Sequence, residues 1–523
     1  MSKSRNQIFI IVCAAILVLF ANIWGYPLYI LDEVKNAQCA REMMLSEDYI
    51  TPTFNGQLRT DKPPLHYYFM ILGYKMFGFS AFAARFFSAF FGVLTVLFTF
   101  LISKKYVGER GSKVTSVVMV ASLGIMFQFH LATPDAYLVF FMTSALFAYY
   151  HFFKAGKKRY LYFSYIAMAL AALTKGPVGI VLPAISIFFF LIAKKQLKRK
   201  TIKSLQIWKG VSIIALINLP WYGAVHWVTN GEWTTEFFLY HNFGRYTSSE
   251  IGHGSAFFLP TVFAVVWALP FSAFLIQSLH KPFKYRLNDL AILSLVTFTV
   301  TIAFFSLSSN KLIHYVSPTL PFVAIMTGNF LGAVNSENWK SSKMNWSMYF
   351  LLALCVLIPI GAIVAINRSI EFSSLKYFSL IFLTLPIGAI FMVMFLLKKS
   401  LRGVVITMAT TFILLVNLVF YLLLPKMIGQ NPVKDSMSIL EDAERVATYR
   451  KFNSAFVLAF DEKILGLDNL NELKSFFADY PGGMVITRDK YLDEHQLIEY
   501  YEIIYRKNDL IDEHDTVIIV KKP

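Results

Sequence analysis

Apolar stretches of about 20 residues recur along most of the chain, separated by short connections that are basic or contain Pro and Gly. At about 1.5 Å per helical residue, such a stretch crosses the hydrocarbon core of a bilayer. The pattern predicts spans near 8–25, 81–102, 114–131, 135–153, 160–174, 177–193, 208–228, 256–279, 288–307, 312–333, 346–366, 377–397 and 403–424, roughly thirteen in all. Two of them meet at Lys175-Gly176-Pro177, a break in an otherwise continuous apolar region. Residues 26–80 interrupt the pattern with a long mixed loop. In it, 33–46 place Ala37, Ala40, Met43 and Met44 on one stripe, and HYYFMILGYKMF at 66–77 is aromatic and apolar; both predict helices lying at the interface. After Pro425 the apolar runs shorten. SAFVLAF, GMVIT, YEIIY and TVIIV predict strands, and MSILEDAERVATYR predicts a helix. The expected organisation is a membrane domain, 1–424, followed by a small soluble α/β domain, 425–523.

Composition supports this reading. Of 523 residues, 56% are hydrophobic and only 15% charged, against about 25% charged in a soluble protein. The class is therefore a mainly α, polytopic membrane protein. The net charge of +17 invites nucleic acid as a partner, but its distribution does not: 36 Lys/Arg face 14 Asp/Glu before Pro425, and 13 face 18 after it. Basic connections between spans fix orientation instead. With the N-terminus cytoplasmic and the spans alternating, about 25 of the 49 basic residues fall in inside connections. That places the loop 26–80, the turn Thr133-Pro134-Asp135, the segment 229–255 and the C-terminal domain on the outer face. Residues 1–24 read as an uncleaved first span, because no small-x-small site precedes the acids that follow. The three cysteines are scattered and form neither a metal-ligand spacing nor a disulfide framework.

Acids are scarce in the membrane part, so their positions carry information. Asp32 and Glu33 stand at the end of span one, Asp61 lies in RTDKPPLHYY, and Asp135 begins span four in ATPDAYLVF. Such acids are expected at functional sites, although helix termination, or a dipole-favoured start beside Pro134, explains them more plainly. Basic and polar groups fall on the same face: Lys62, Lys175, Arg245 and Lys311, with His241, His253, His314 and Tyr315. Lys175 also reads simply as a snorkelling lysine at a helix break. Together these residues suit a phosphate-bearing substrate and a divalent cation, with carboxylates for the metal and Lys/Arg for phosphate oxygens.

The run LDEVKNAQCAREMMLSEDYITPTFNGQLRTDKPPLHYY resembles the first outer loop of the polytopic GT-C glycosyltransferases. The branch it resembles holds the lipid A aminoarabinose transferases and the bacterial relatives of protein O-mannosyltransferases. TPDAYLVF, LTKGPVGIVLP, the region of Trp221 and His241-Asn242, and SLSSNKLIHYVSPTLP follow in the same order. The resemblance implies a polyprenyl-phosphate sugar donor, no nucleotide, and transfer at the outer membrane face to a hydroxyl or phosphate of a lipid or protein. It implies that Asp32 deprotonates the acceptor and that Lys62 contacts the donor phosphate. It associates Asp61 and Asp135 with a divalent metal; the aminoarabinose enzymes have Glu where this chain has Asp61. Lys311, His314 and Tyr315 match a motif near the phosphate, Arg245 and His241 more faintly, with Glu33 and Lys175 as accessory candidates. A flippase for a lipid-linked sugar is the alternative from another class, but no repeat between halves is evident and the acids gather at one face. The implied setting is a bacterial cytoplasmic membrane.

Overall fold

The computed structural model describes residues 2–522 apart from 248–255, 281–287, 336–338, 341–342, 369–372, 461, 495–496 and 511–512. It is mainly helical. Among the described residues, seven helical segments are long and apolar enough to cross a membrane: Ala81–Tyr106, Pro134–Ala155, Arg199–Val228, Asp289–Leu307, Met344–Arg368, Ser374–Leu397 and Leu401–Leu440. Two bent pairs, Glu109–Ala121 with Leu123–His130 and Leu259–Trp267 with Phe271–Leu279, raise the number to nine. The remaining predicted positions are helical but shorter, as at Ser4–Leu19 and Val178–Ala193. Helices here approach closely where side chains are small: a Cβ on Gly328 would stand 2.7 Å from the Gly111 carbonyl oxygen, the small-residue contact that suits packing in lipid.

Helix α1 (Ser2–Leu19) stops earlier than the apolar run does. Asn22 takes a left-handed backbone, φ 53°, and the chain turns before Pro27. Asp32 and Glu33 therefore do not end the first span. They begin α2 (Leu31–Leu45), in the first turn, where the helix dipole favours acids. Ala37, Ala40 and Met43 form its buried stripe. A hairpin of β1 (Thr53–Phe54) and β2 (Gln57–Leu58) follows. Its turn, Asn55-Gly56, has positive φ at both positions, a strong hairpin signal that helix-period reading passes over. Helix α3 (Leu65–Phe77) and the span α4 (Ala81–Tyr106) complete the region.

Near the C-terminus a five-stranded mixed sheet forms in the order β4-β3-β5-β7-β6. The strands are β3 (Val446–Tyr449), β4 (Leu465–Leu467), β5 (Met484–Arg488), β6 (Tyr501–Lys507) and β7 (Thr516–Lys521). Two expectations are corrected. SAFVLAF forms a short helix, Ala455–Ala459, and the second half of MSILEDAERVATYR is strand β3, paired in parallel with β4 and β5. Strand alternation splits the sheet's two faces. Val485, Val517 and Ile519 pack on the helix Leu470–Asp479, while Ile486 and Ile518 join the core that also holds α2. The sheet is thus docked against the first loop.

Candidate active site

Helix α2 presents its acids in opposite circumstances. Asp32 is exposed. Glu33 is fully buried and bound side-on by Arg85 of α4, whose Nε and Nη2 each donate at 2.7 Å. Arg85 also donates to the carbonyls of Ile23 and Tyr26 at 2.9 Å, and its guanidinium stacks 3.9 Å from the Tyr26 ring. Glu33 further accepts the Ala132 amide at 2.8 Å, and Asn36, one turn on, donates to the Ala132 carbonyl at 3.4 Å. The buried face of α2 therefore holds the turn that delivers Pro134 and Asp135 to the start of the next helix.

Asp135 lies beneath a cavity of about 480 Å³. Lys175 reaches it as the last residue of the helix Lys158–Lys175, and the two are ion-paired. Gly176 makes this possible. Its φ is +85°, and a Cβ there would meet Phe237 at 2.6 Å, so the KGP break brings the lysine against the segment behind it. That segment, Glu236–Gly244, winds as a π-helix, a form that recurs at functional sites. It lines the cavity with Phe237, His241 and Asn242. On the far side a 3₁₀ turn, Ile313–Thr319, supplies Tyr315, whose ring lies 4.9 Å from the Lys175 ammonium, and His314, 3.9 Å from Asp135.

The second acid arrives from the first loop. Asp61 is gripped by Arg59 at 2.8 Å and faces Lys62 at 3.6 Å, with both lysine and acid on the cavity wall. Burial works against its charge, but Arg59 and then Lys62 hold its carboxyl well below the usual carboxylate range. Thr60 ties the loop to the π-helix by donating to Glu236 at 2.6 Å and meeting His241 at 3.1 Å. Trp233 donates to the Arg59 carbonyl at 2.9 Å. Two carboxylates thus each carry a cation already. Among the described residues no group of three or more His, Cys, Asp or Glu comes together to hold a metal, so a divalent ion would have to displace these lysine and arginine contacts.

The family model for dolichyl-phosphate-mannose-protein mannosyltransferases matches residues 61–223, a stretch that contains Asp61, Lys62, Asp135 and Lys175. An uncharacterized protein of Aquifex aeolicus is 30% identical over 394 residues, covering 75% of this chain and 74% of its own. An undecaprenyl phosphate-alpha-4-amino-4-deoxy-L-arabinose arabinosyl transferase of Pseudomonas fluorescens is 28% identical over 58% of this chain, and the match spans 56% of that protein's length. In three dimensions, ArnT from Cupriavidus metallidurans bound to undecaprenyl phosphate superimposes with a TM-score of 0.80 at 18% identity, over 98% of both chains. The chain belongs to the GT-C glycosyltransferases. It is a multi-pass membrane enzyme, and the fold it shares with ArnT extends through the C-terminal sheet.

Within this GT-C enzyme the structure brings Asp61, Lys62, Asp135, Lys175, His241 and Tyr315 to one cavity. His314 adjoins it through Asp135, and Lys311 follows Asn310, which lines it. Asp32 is not among the lining residues, but it stands close enough to Arg59 and His314 to act on their charges. Glu33 turns away into its ion pair. Arg245 begins a short helix, and its side chain lies outside what is described, while His253 lies outside the described residues altogether. Sequence reading missed Arg59, although it sits two residues before Asp61 in QLRTDKPP, and missed Arg85, which nothing local connects to Glu33.

Proposed function

We propose that this glycosyltransferase moves a sugar from a polyprenyl-phosphate donor to a hydroxyl or phosphate acceptor on a lipid A-like glycolipid or a protein, with inversion at the anomeric carbon. The observation that carries the reading is the cavity itself: Lys62 and Lys175 flank two carboxylates, and Phe304 on its wall is shared with an apolar groove along Val178–Ala193 and Asp289–Leu307. The groove suits an isoprenoid tail, and the lysines suit the phosphate it carries. As the bond to the sugar breaks, charge accumulates on the departing phosphate. Lys62 and Lys175 are already in place to neutralise it, with Lys311 and Arg245 as further contributors. Tyr315 orients the phosphate from the opposite wall. Asp32, exposed at the start of α2, accepts the proton of an acceptor hydroxyl that attacks from the other side of the sugar. His241 and His314 shape the cavity around the acids.

The topology that fits has thirteen crossings, a cytoplasmic N-terminus and the domain 425–523 on the outer face of a bacterial cytoplasmic membrane. A divalent cation at Asp61 and Asp135 is an addition to this mechanism, which lysine and arginine serve without it. The named relatives are transferases, and no observation favours the flippase. Purified protein given a polyprenyl-phosphate sugar and a glycolipid acceptor should release polyprenyl phosphate and yield a product of inverted anomeric configuration. Passage of intact donor across vesicles without cleavage would refute transfer.

A further inference from the structure

A second cavity, of about 450 Å³, lies between the first loop and the C-terminal domain. Lys35 comes to it from α2; Arg450, Lys451 and Arg488 come from the sheet domain, and among the described lining residues the carboxylate is Asp509. That acid is itself enclosed: Arg488 and Asn453 donate to one of its oxygens at 2.6 Å each, and Tyr29 to the other at 2.6 Å. The described lining is therefore cationic in sum, with Asp509 committed to a buried network. Lys35 lies three residues after Asp32, on the same side of α2. It is also near enough to Asp61 to act on that carboxylate's charge. About one helical turn of α2 thus separates Lys35, in the wall of the cationic cavity, from the proposed base.

Resting on the transferase reading above, we propose that this cavity binds an anionic group of the acceptor, a phosphate or carboxylate distinct from the atom that receives the sugar, with Lys35, Arg450 and Lys451 as its ligands. Held there, the acceptor would present its reacting oxygen at Asp32. The acceptor is membrane-borne. Phe54 forms part of the cavity wall, and Leu45, Tyr49 and Ile50 on the same loop are exposed apolar residues, suited to an amphiphile resting at the bilayer surface.

The test uses the full-length enzyme in detergent, with a bisphosphorylated disaccharide glycolipid and its dephosphorylated counterpart as probes. Lys451 is exposed and outside the donor site, so K451Q should fold normally, and R450Q/K451Q removes both charges. Loss of charge-assisted contacts should weaken binding of the phosphorylated lipid about tenfold and leave the dephosphorylated lipid unchanged. Equal affinity of wild-type enzyme for the two lipids, or an equal loss for both in the variants, overturns the proposal. Competition by millimolar inorganic phosphate against the phosphorylated lipid separates a headgroup phosphate contact, which it relieves, from tail binding, which it does not; failure to compete also counts against the site. Turnover is read in parallel. Wild-type enzyme that binds the phosphorylated lipid selectively yet transfers no sugar would undo the transferase reading while this binding site stands.

Discussion

Glu33 and Asp135 are both buried acids held by a basic side chain from another helix, yet they serve different ends. Glu33 receives both arms of the Arg85 guanidinium and a backbone amide, with the arginine's remaining donors taken up by carbonyls. Both side chains are fully buried, and neither lines the cavity. Asp135 shares its lysine with a cavity whose other walls bring Lys62, His241 and Tyr315. The lesson is that burial and pairing do not by themselves mark chemistry; adjacent empty space does. The first pair fixes where α2, α4 and the turn before Asp135 stand, and the second is what that arrangement holds in place.

The sharpest way to break the comparison is to neutralise neighbours on α2. Asp32→Asn should lower transfer by about 10²–10⁴-fold, the usual worth of a positioned base, with an unchanged thermal midpoint. Near-normal turnover would remove Asp32 from the mechanism. Glu33→Gln should behave in reverse. It leaves Arg85 charged in a sealed site, a loss of about 3–5 kcal/mol, visible as a lowered midpoint and poor membrane yield. Should Glu33→Gln keep its stability while losing turnover, Glu33 would belong to the reaction after all.

Next in size are the lysines. Lys62→Gln and Lys175→Gln should each weaken donor-dependent turnover about 10- to 100-fold, as expected for one charge-assisted contact of about 1.5–3 kcal/mol. Lys175→Gln also leaves Asp135 without its ion pair, so its stability should fall more than that of Lys62→Gln. A smaller effect still is expected from metal removal. Because Asp61 and Asp135 already have cationic partners, dialysis against EDTA should leave the transfer rate within about twofold. A rate restored only by an added divalent ion would show that the lysines are displaced in the working enzyme.

These contrasts also separate what the sequence made legible from what it did not. The two helices of the first loop, the break at Lys175-Gly176-Pro177 and the acid-first helix at Pro134 are local: periodicity, Gly and Pro state them within a few residues. The Glu33–Arg85 pair was hidden because it joins residues 52 positions apart across a helix packing that no short window contains. The C-terminal misreadings share that cause. A five-residue apolar run is compatible with strand or helix, and only the parallel pairing of Val446–Tyr449 with strands on both sides assigned the strand there. Helices such as Leu320–Gly332 show why composition alone counts spans loosely: this one is apolar and almost wholly buried in the bundle, yet only 13 residues long.

The smallest expected effect concerns acidity and tests the cavity pair alone. Arg59 and Lys62 depress the Asp61 carboxyl below its ordinary value, so ionised Asp61 stabilises the fold. A depressed acid contributes in full above the unfolded value, about 3.9, and loses that contribution only as pH falls toward the folded one. The difference in thermal midpoint between wild type and Asp61→Asn should therefore stay flat from pH 8 to about 5 and shrink only in stronger acid. A difference already collapsing near pH 6 would mean that Asp61 is not held by Arg59 as described. In that case it would be the acid in the cavity wall left open to a metal or a substrate proton, and the contrast with Glu33 would widen.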